Sequence, residues 1–176
     1  MERGLEPMLA ERRPMEVNMK EGEGIRTAVD VLVVDLQQRK FLLGKRTSKV
    51  GKDLWGFPGG HQKTGELLIN TARRELTEEL GDEVKIDLTE RIVAVRENRL
   101  PPYYIPHVTV IVFGWYKGGE LLLPENEKNS NWQWFDIYDE KNWPKELFSK
   151  ADEVVRNFRQ GKQTVVSDFP PRESEL

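Results

Sequence analysis

The order of apolar patterns along the chain predicts an α/β fold, a mixed sheet flanked by two helices in one domain. Val-rich runs of strand length, TAVDVLVVDL (27–36) and HVTVIVFGWY (107–116), are apolar at most successive positions, the pattern of strands covered on both faces. Between and after them lie two segments with apolar residues at helical spacing, so strands and helices alternate and the helices must cover the sheet. A chain of 176 residues has room for one such core and not comfortably for two.

Each element follows from local signals. Residues 1–24 are charged, carry Pro7 and Pro14 and close on Glu21-Gly22-Glu23-Gly24, so they read as an extension. Disorder and an arm onto a partner subunit, as in a homodimer, both remain open for it. The domain is expected over 25–162. Thr27 to Leu36 is the first strand, Gln37-Gln38-Arg39 a turn, and Lys40 to Arg46 a second strand that completes a hairpin. Leu54 to Phe57 is a short strand stopped by Pro58, and Gly59-Gly60 leaves room for close backbone approach. After a loop from His61 to Gly65, with Thr64 as expected N-cap, Leu68, Ile69, Ala72, Leu76 and Leu80 mark the apolar stripe of a helix that Gly81 ends. Strands are expected within Ile86 to Arg96, over His107 to Tyr116 and over Trp132 to Ile137, with Glu120 to Leu123 pairing back on the central one. Leu147, Ala151, Val154, Val155 and Phe158 are spaced for a second helix, with Ser149 and Asp152 as its capping pair and Gly161 as its stop. Residues 163–176 read as a loose tail.

Composition narrows the function classes. With 27 basic and 30 acidic residues the net charge is −3, a balance that argues against a surface coating a nucleic-acid polymer but allows a local basic pocket. The absence of cysteine excludes a disulfide scaffold and fits a reducing compartment. No apolar run approaches membrane-spanning length, and the opening residues lack the apolar segment of a secretory signal. A soluble, cytoplasmic protein without a membrane partner is the expectation.

The densest chemistry lies in GHQKTGELLINTARRELTEELGD, from Gly60 to Asp82. On a helix, Glu75, Glu78 and Glu79 stand at i, i+3 and i+4 and share one face, where like charges repel by a few tenths of a kcal/mol per pair. A divalent cation would turn that cost into a gain, and oxygen ligands suit Mg²⁺, with Mn²⁺ as a substitute. Acidic runs on helices are usually solvated faces. Here the spacing argues otherwise, because it extends to Gly60, Glu66 and Arg74.

Written out, that spacing is Gly60, five residues, Glu66, seven residues, then Arg74-Glu75-Leu76-Thr77-Glu78-Glu79-Leu80-Gly81. It resembles the signature of the Nudix hydrolases, and the fixed positions would match by chance in roughly one chain in 10⁵ or fewer. Asp82 stands where that family prefers an aliphatic residue, a position that serves packing rather than chemistry. The resemblance implies an α/β/α sandwich and metal-dependent hydrolysis of a nucleoside diphosphate linked to another group. It implies that Glu75, Glu78 and Glu79 bind the metals with the Gly60 carbonyl, that Arg74 orients a box carboxylate, and that Glu66 supports the site from behind. Which acid is the general base stays open between Glu75 and a loop glutamate, Glu125 or Glu127. Glu127 is the favoured extra ligand.

For the substrate, Arg46 at the end of GKR is suited to a phosphate. Trp55 and Phe57 share a strand face, so one could stack on a base, although Phe57 reads as core. Gly59 is a candidate for substrate contact through its backbone. His107 and Thr109 share a face at positions that line the base pocket in related nucleotide hydrolases. LLGKRTSKVGKDLWGFPGGHQKTGE and HVT look most like members that split a nucleoside triphosphate into monophosphate and pyrophosphate. A nucleoside-diphosphate-sugar or mannosyl hydrolase is the alternative enzyme, and a non-catalytic nucleotide-binding module the alternative of another class. A binding module would be expected to lack a box acid, and none is missing.

Overall fold

The computed structural model describes residues 25–99, 106–121 and 129–167. In chain order the elements are strands β1 (Arg26–Asp35), β2 (Lys40–Arg46), β3 (Trp55–Gly56) and β4 (Gly59–His61), helix α1 (Leu68–Leu80), strands β5 (Lys85–Arg99), β6 (Pro106–Gly118) and β7 (Asn129–Asp136), helix α2 (Ala151–Arg159) and strand β8 (Thr164–Ser167). They form one eight-stranded sheet in the order β3-β2-β1-β6-β5-β8, with β4 added to β1 and β7 to β2. Pairing is parallel for β1–β6 and β5–β8 and antiparallel elsewhere, so the sheet is mixed, as expected.

The sheet carries a core on each face. Val29, Val31 and Val33 of β1 point toward Ala72, Leu76 and Leu80 of α1, whereas Leu32 and Val34 point the other way, toward Val154 and Val155 of α2. This alternation explains why β1 reads as apolar at nearly every position. Burying a Leu or Val side chain is worth about 1.5–3 kcal/mol, so each helix is held chiefly by its apolar stripe.

One feature of the sheet places the glycines against α1. The β1–β2 hairpin keeps only two residue pairs, Val34↔Phe41 and Asp35↔Lys40. Beyond them the strands part, and the chain from Trp55 to His61 fills the gap. Gly56 and Trp55 pair with Gly44 and Lys45 of β2, while Gly59, Gly60 and His61 pair with Asp30, Val29 and Ala28 of β1. The strands β3 and β4 wedged into the opened hairpin bring the glycines next to the N-terminal half of β1 and against Glu75 and Glu79 of α1.

Several local expectations are corrected. Thr64 does not cap α1: Leu67 precedes the helix without a side-chain cap, and Glu66 accepts the Lys63 N–H (2.9 Å) and the Thr71 hydroxyl (3.0 Å) instead. Ser149 and Asp152 form no capping pair, because Ser149 lies before the helix at φ 56° and Asp152 bonds Arg156 at 2.7 Å. The short strand expected from Leu54 shrinks to Trp55–Gly56, and β4 occupies part of the expected glycine turn. Glu120 and Leu121 lie outside any strand, and Leu122 and Leu123 fall outside the described residues. In the stretch expected to be loose, Thr164–Ser167 adds β8 in parallel to β5. The extension 1–24 lies outside the described residues.

Candidate active site

The acid row of α1 is organised by Arg74. Its Nη1 donates to Glu75 Oε1 at 2.7 Å and to Glu78 Oε2 at 3.2 Å, while Nε and Nη2 grip the two oxygens of Glu66 at 2.7 and 3.0 Å. Nη2 also reaches the His61 carbonyl at 3.0 Å, which ties the loop before α1 to the helix. Charge-assisted hydrogen bonds are worth about 1.5–3 kcal/mol each, against a few tenths for each like-charge pair on a helix. The attraction to Arg74 therefore wins, and the metal-free row is held together rather than strained apart. The Arg74 guanidinium, with help from the Lys63 N–H, holds the Glu66 carboxyl down at about 2.

The three acids differ in exposure. Glu75 and Glu79 are buried, and the Glu78 side chain is 44% exposed. Glu79 Oε2 accepts the Gly59 N–H at 3.0 Å, which fixes the glycine turn against the helix. A Cβ on Gly60 would overlap the Glu75 carboxyl group, and one on Gly59 would overlap the Val29 carbonyl oxygen. The two glycines are thus required where the backbone meets the buried acids.

No metal is part of the structure, so the fit has to be judged from the donors. Three carboxylates beside a backbone with no side chain in the way offer hard oxygen ligands of the kind Mg²⁺ takes. Among the described residues no three acidic or histidine side chains already converge as a cage. The hydrogen bonds account for this, because Glu75 and Glu78 are turned toward Arg74 and Glu79 toward Gly59. The donor set fits a divalent cation in type, three carboxylates carried by α1 beside Gly59 and Gly60. Glu125 and Glu127 lie outside the described residues.

Across the cleft stands Arg46. Its Nε donates to the Val50 carbonyl (3.2 Å) and its Nη2 to Ser48 Oγ (3.0 Å). Burial pulls its pKa down, opposed by the carboxylates of Asp30 and Glu79. Asp30, on the α2-facing side of β1, is pushed up by burial and pulled back by Arg96 and Arg46. Arg96 reaches it from β5 at 3.5 Å and is itself only 2% exposed. Thr109 is buried opposite Arg96 in the β5–β6 register, and the His107 ring lies 5.5 Å from that of His61. Trp55 packs edge-on against Phe135 at 5.5 Å, and Phe57 is buried in the same core.

The structure therefore gathers Gly59, Gly60, Glu66, Arg74, Glu75, Glu78 and Glu79 around α1 and the segment before it, with Arg46 at the end of β2. The His107 ring lies beside that of His61, whose carbonyl accepts an Arg74 N–H. Asp30 and Arg96 were missed by sequence reasoning. A lone acid inside TAVDVLVV and an arginine closing IVAVR are the signals that could have flagged them, since a charge on a doubly covered strand needs a partner.

The NUDIX domain family profile matches residues 24–158. The chain belongs to the Nudix family. An RNA pyrophosphohydrolase of Legionella pneumophila is 28% identical over 130 residues, covering 66% of this chain and 72% of that protein. An m7GpppN-mRNA hydrolase NUDT17 of Xenopus laevis is 30% identical over 102 residues, 57% of this chain. An oxidized purine nucleoside triphosphate hydrolase of Danio rerio is 30% identical over 106 residues, 60% of this chain. The chain spans 33% of the frog relative's length and 64% of the zebrafish relative's. The fold agrees with a solved MutT NUDIX hydrolase from Burkholderia pseudomallei at a TM-score of 0.63 and 22% identity, covering 76% of this chain and 97% of that one. These relatives place the chain among the pyrophosphohydrolase enzymes of the family, which generally use divalent metals. Among the described residues no helix is long and apolar enough to cross a membrane.

Proposed function

We propose that this Nudix protein is a Mg²⁺-dependent hydrolase that splits a nucleoside triphosphate into monophosphate and pyrophosphate. The observation that carries the proposal is the acid row Glu75, Glu78, Glu79, oriented by Arg74 and seated against the bare backbone of Gly59–Gly60. Glu75, Glu78, Glu79 and the Gly60 carbonyl would hold the metal. When bound, Mg²⁺ neutralises phosphate charge and raises the acidity of water.

The chain's own groups do the rest. Arg74 fixes the orientation of Glu75, and Glu75 is the base we assign to take the proton of the attacking water. The water oxygen bonds to phosphorus, the bridging P–O bond breaks, and pyrophosphate leaves. Arg46 offers a fork of N–H donors to the phosphate oxygens of the bound substrate. Glu66 keeps Arg74 in place from behind. Thr109 and His107, on the strand beside β1, are the residues assigned to the base end of the substrate. The 1–24 extension, a homodimer and a cytoplasmic location remain proposals of the sequence reading.

One second reading has a specific observation behind it. The relative with the longest alignment reported above is named an RNA pyrophosphohydrolase, so a triphosphate at an RNA 5′ end presents the same bond to the same acids. A product-resolved assay with Mg²⁺, offering canonical and oxidised nucleoside triphosphates, a 5′-triphosphate oligonucleotide and nucleoside-diphosphate sugars, separates these readings. Fastest turnover of a free triphosphate supports the proposal. Faster turnover of the oligonucleotide favours the second reading, and faster turnover of a sugar nucleotide overturns both.

A further inference from the structure

The cation of the cleft is held in place by a residue from the far end of the chain. The Arg46 guanidinium lies over the Phe148 ring, 3.9 Å from its centroid. The ring is enclosed on other sides as well: a Cβ on Gly51 would overlap it, and one on Gly56 would sit 3.5 Å from Phe148 Cβ. Gly51 and the Arg46 guanidinium thus pack directly on the ring, with Gly56 against its Cβ.

The segment that carries Phe148 is fastened to the cleft. The Trp55 N–H donates to the Glu146 carbonyl at 3.0 Å, and Leu147 forms a bridge to Trp55. Directly after the ring, Ser149 and Lys150 both take left-handed conformations, φ 56° and 53°, which non-glycine residues rarely adopt even singly. Two such residues in succession swing the chain from the edge of β3 into α2. The disfavoured turn persists because packing on either side of it fixes the path. The hydrogen bonds from Arg46 to Ser48 and Val50 hold the guanidinium by its edge, and the Phe148 ring supports its face.

We propose that Phe148 is a positioning residue for substrate binding, holding the Arg46 guanidinium at the tilt from which it meets a phosphate. This rests on the reading of Arg46 as a phosphate ligand given above. By this account the C-terminal segment, which carries none of the box, completes the anion-binding half of the site. A long flexible side chain that is already ordered loses less freedom when substrate arrives, so the gain appears in affinity rather than in the chemical step.

The test is a double-mutant cycle on the full chain, with magnesium pyrophosphate as probe in calorimetry and a nucleoside triphosphate as substrate in steady-state assays. Phe148→Leu should weaken pyrophosphate binding about five- to tenfold and raise KM by the same factor with kcat nearly unchanged. Phe148→Tyr, which keeps the ring face, should restore both to within about twofold. In an Arg46→Ala background the Leu substitution should add nothing further. Loss of the same factor in that background would overturn the inference, since the ring would then act on substrate or fold directly. So would unchanged affinity in Phe148→Leu while Arg46→Ala binds weakly. If Arg46→Ala itself binds pyrophosphate normally, the failure lies in the reading of Arg46 and the inference falls with it.

Discussion

On the α1 side of the cleft, the contacts that orient the carboxylates span short stretches of chain. Arg74 reaches Glu66, Glu75 and Glu78, and Glu79 takes the N–H of Gly59. On the opposite side, Arg46 faces Asp30 from another strand, Asp30 pairs with Arg96 across β6, and the ring under Arg46 comes from the segment before α2. One half of the site is a single helix with its leading turn; the other is assembled from segments that meet only once the sheet is complete. The helical half is set by backbone geometry, so its residue spacing follows from the turn of the helix. The assembled half is set by packing, so different residues can reach the same point from different strands.

Substitutions on the two sides should therefore behave differently, with effects falling as they move away from the acids. Glu75→Gln removes a proposed ligand and the assigned base while leaving an isosteric side chain, and should lower kcat about a thousandfold or more, read in a phosphate-release assay. Near-normal kcat in that variant would move the base to a loop acid. Gly60→Ala forces a methyl into the Glu75 carboxyl and should destabilise the fold by about 1–3 kcal/mol in urea titration, as well as impair turnover. Arg46→Ala should act differently. It removes charge-assisted bonds worth about 1.5–3 kcal/mol, so KM should rise about ten- to a hundredfold with a smaller change in kcat.

The smallest effect concerns pH. Glu66 has its carboxyl lowered from 4.5 to about 2 by Arg74, so its contribution to stability is present above pH 4.5 and is lost as pH falls toward 2. The difference in unfolding free energy between the wild type and Glu66→Gln should be constant above that window and shrink within it. A difference that stays constant down to pH 2 would mean the Glu66–Arg74 contact does not hold in solution.

How much was legible follows from the same contrast. The central strands and both helices could be read because their apolar periodicity depends only on which faces are covered. Gly60, Glu66, Arg74 and the three acids could be read because helical spacing brings them together whatever the rest of the fold does. The caps could not: Glu66 takes the Lys63 N–H in the loop before α1, and tertiary packing holds Ser149 in a left-handed turn. Nor could β8, a four-residue edge strand with no pattern long enough to register. Asp30 and Arg96 were visible only as oddities in apolar strands, and nothing near Phe148 announces that it lies beneath Arg46.

The central claim is that the acid row converts a triphosphate when Mg²⁺ is present. It is tested most directly by incubating purified wild type and Glu79→Gln with a nucleoside triphosphate and Mg²⁺ and separating the products. The account predicts equimolar monophosphate and pyrophosphate from the wild type, abolished by chelation of the metal and by the substitution. Full activity in Glu79→Gln, or turnover that survives chelation, would contradict it.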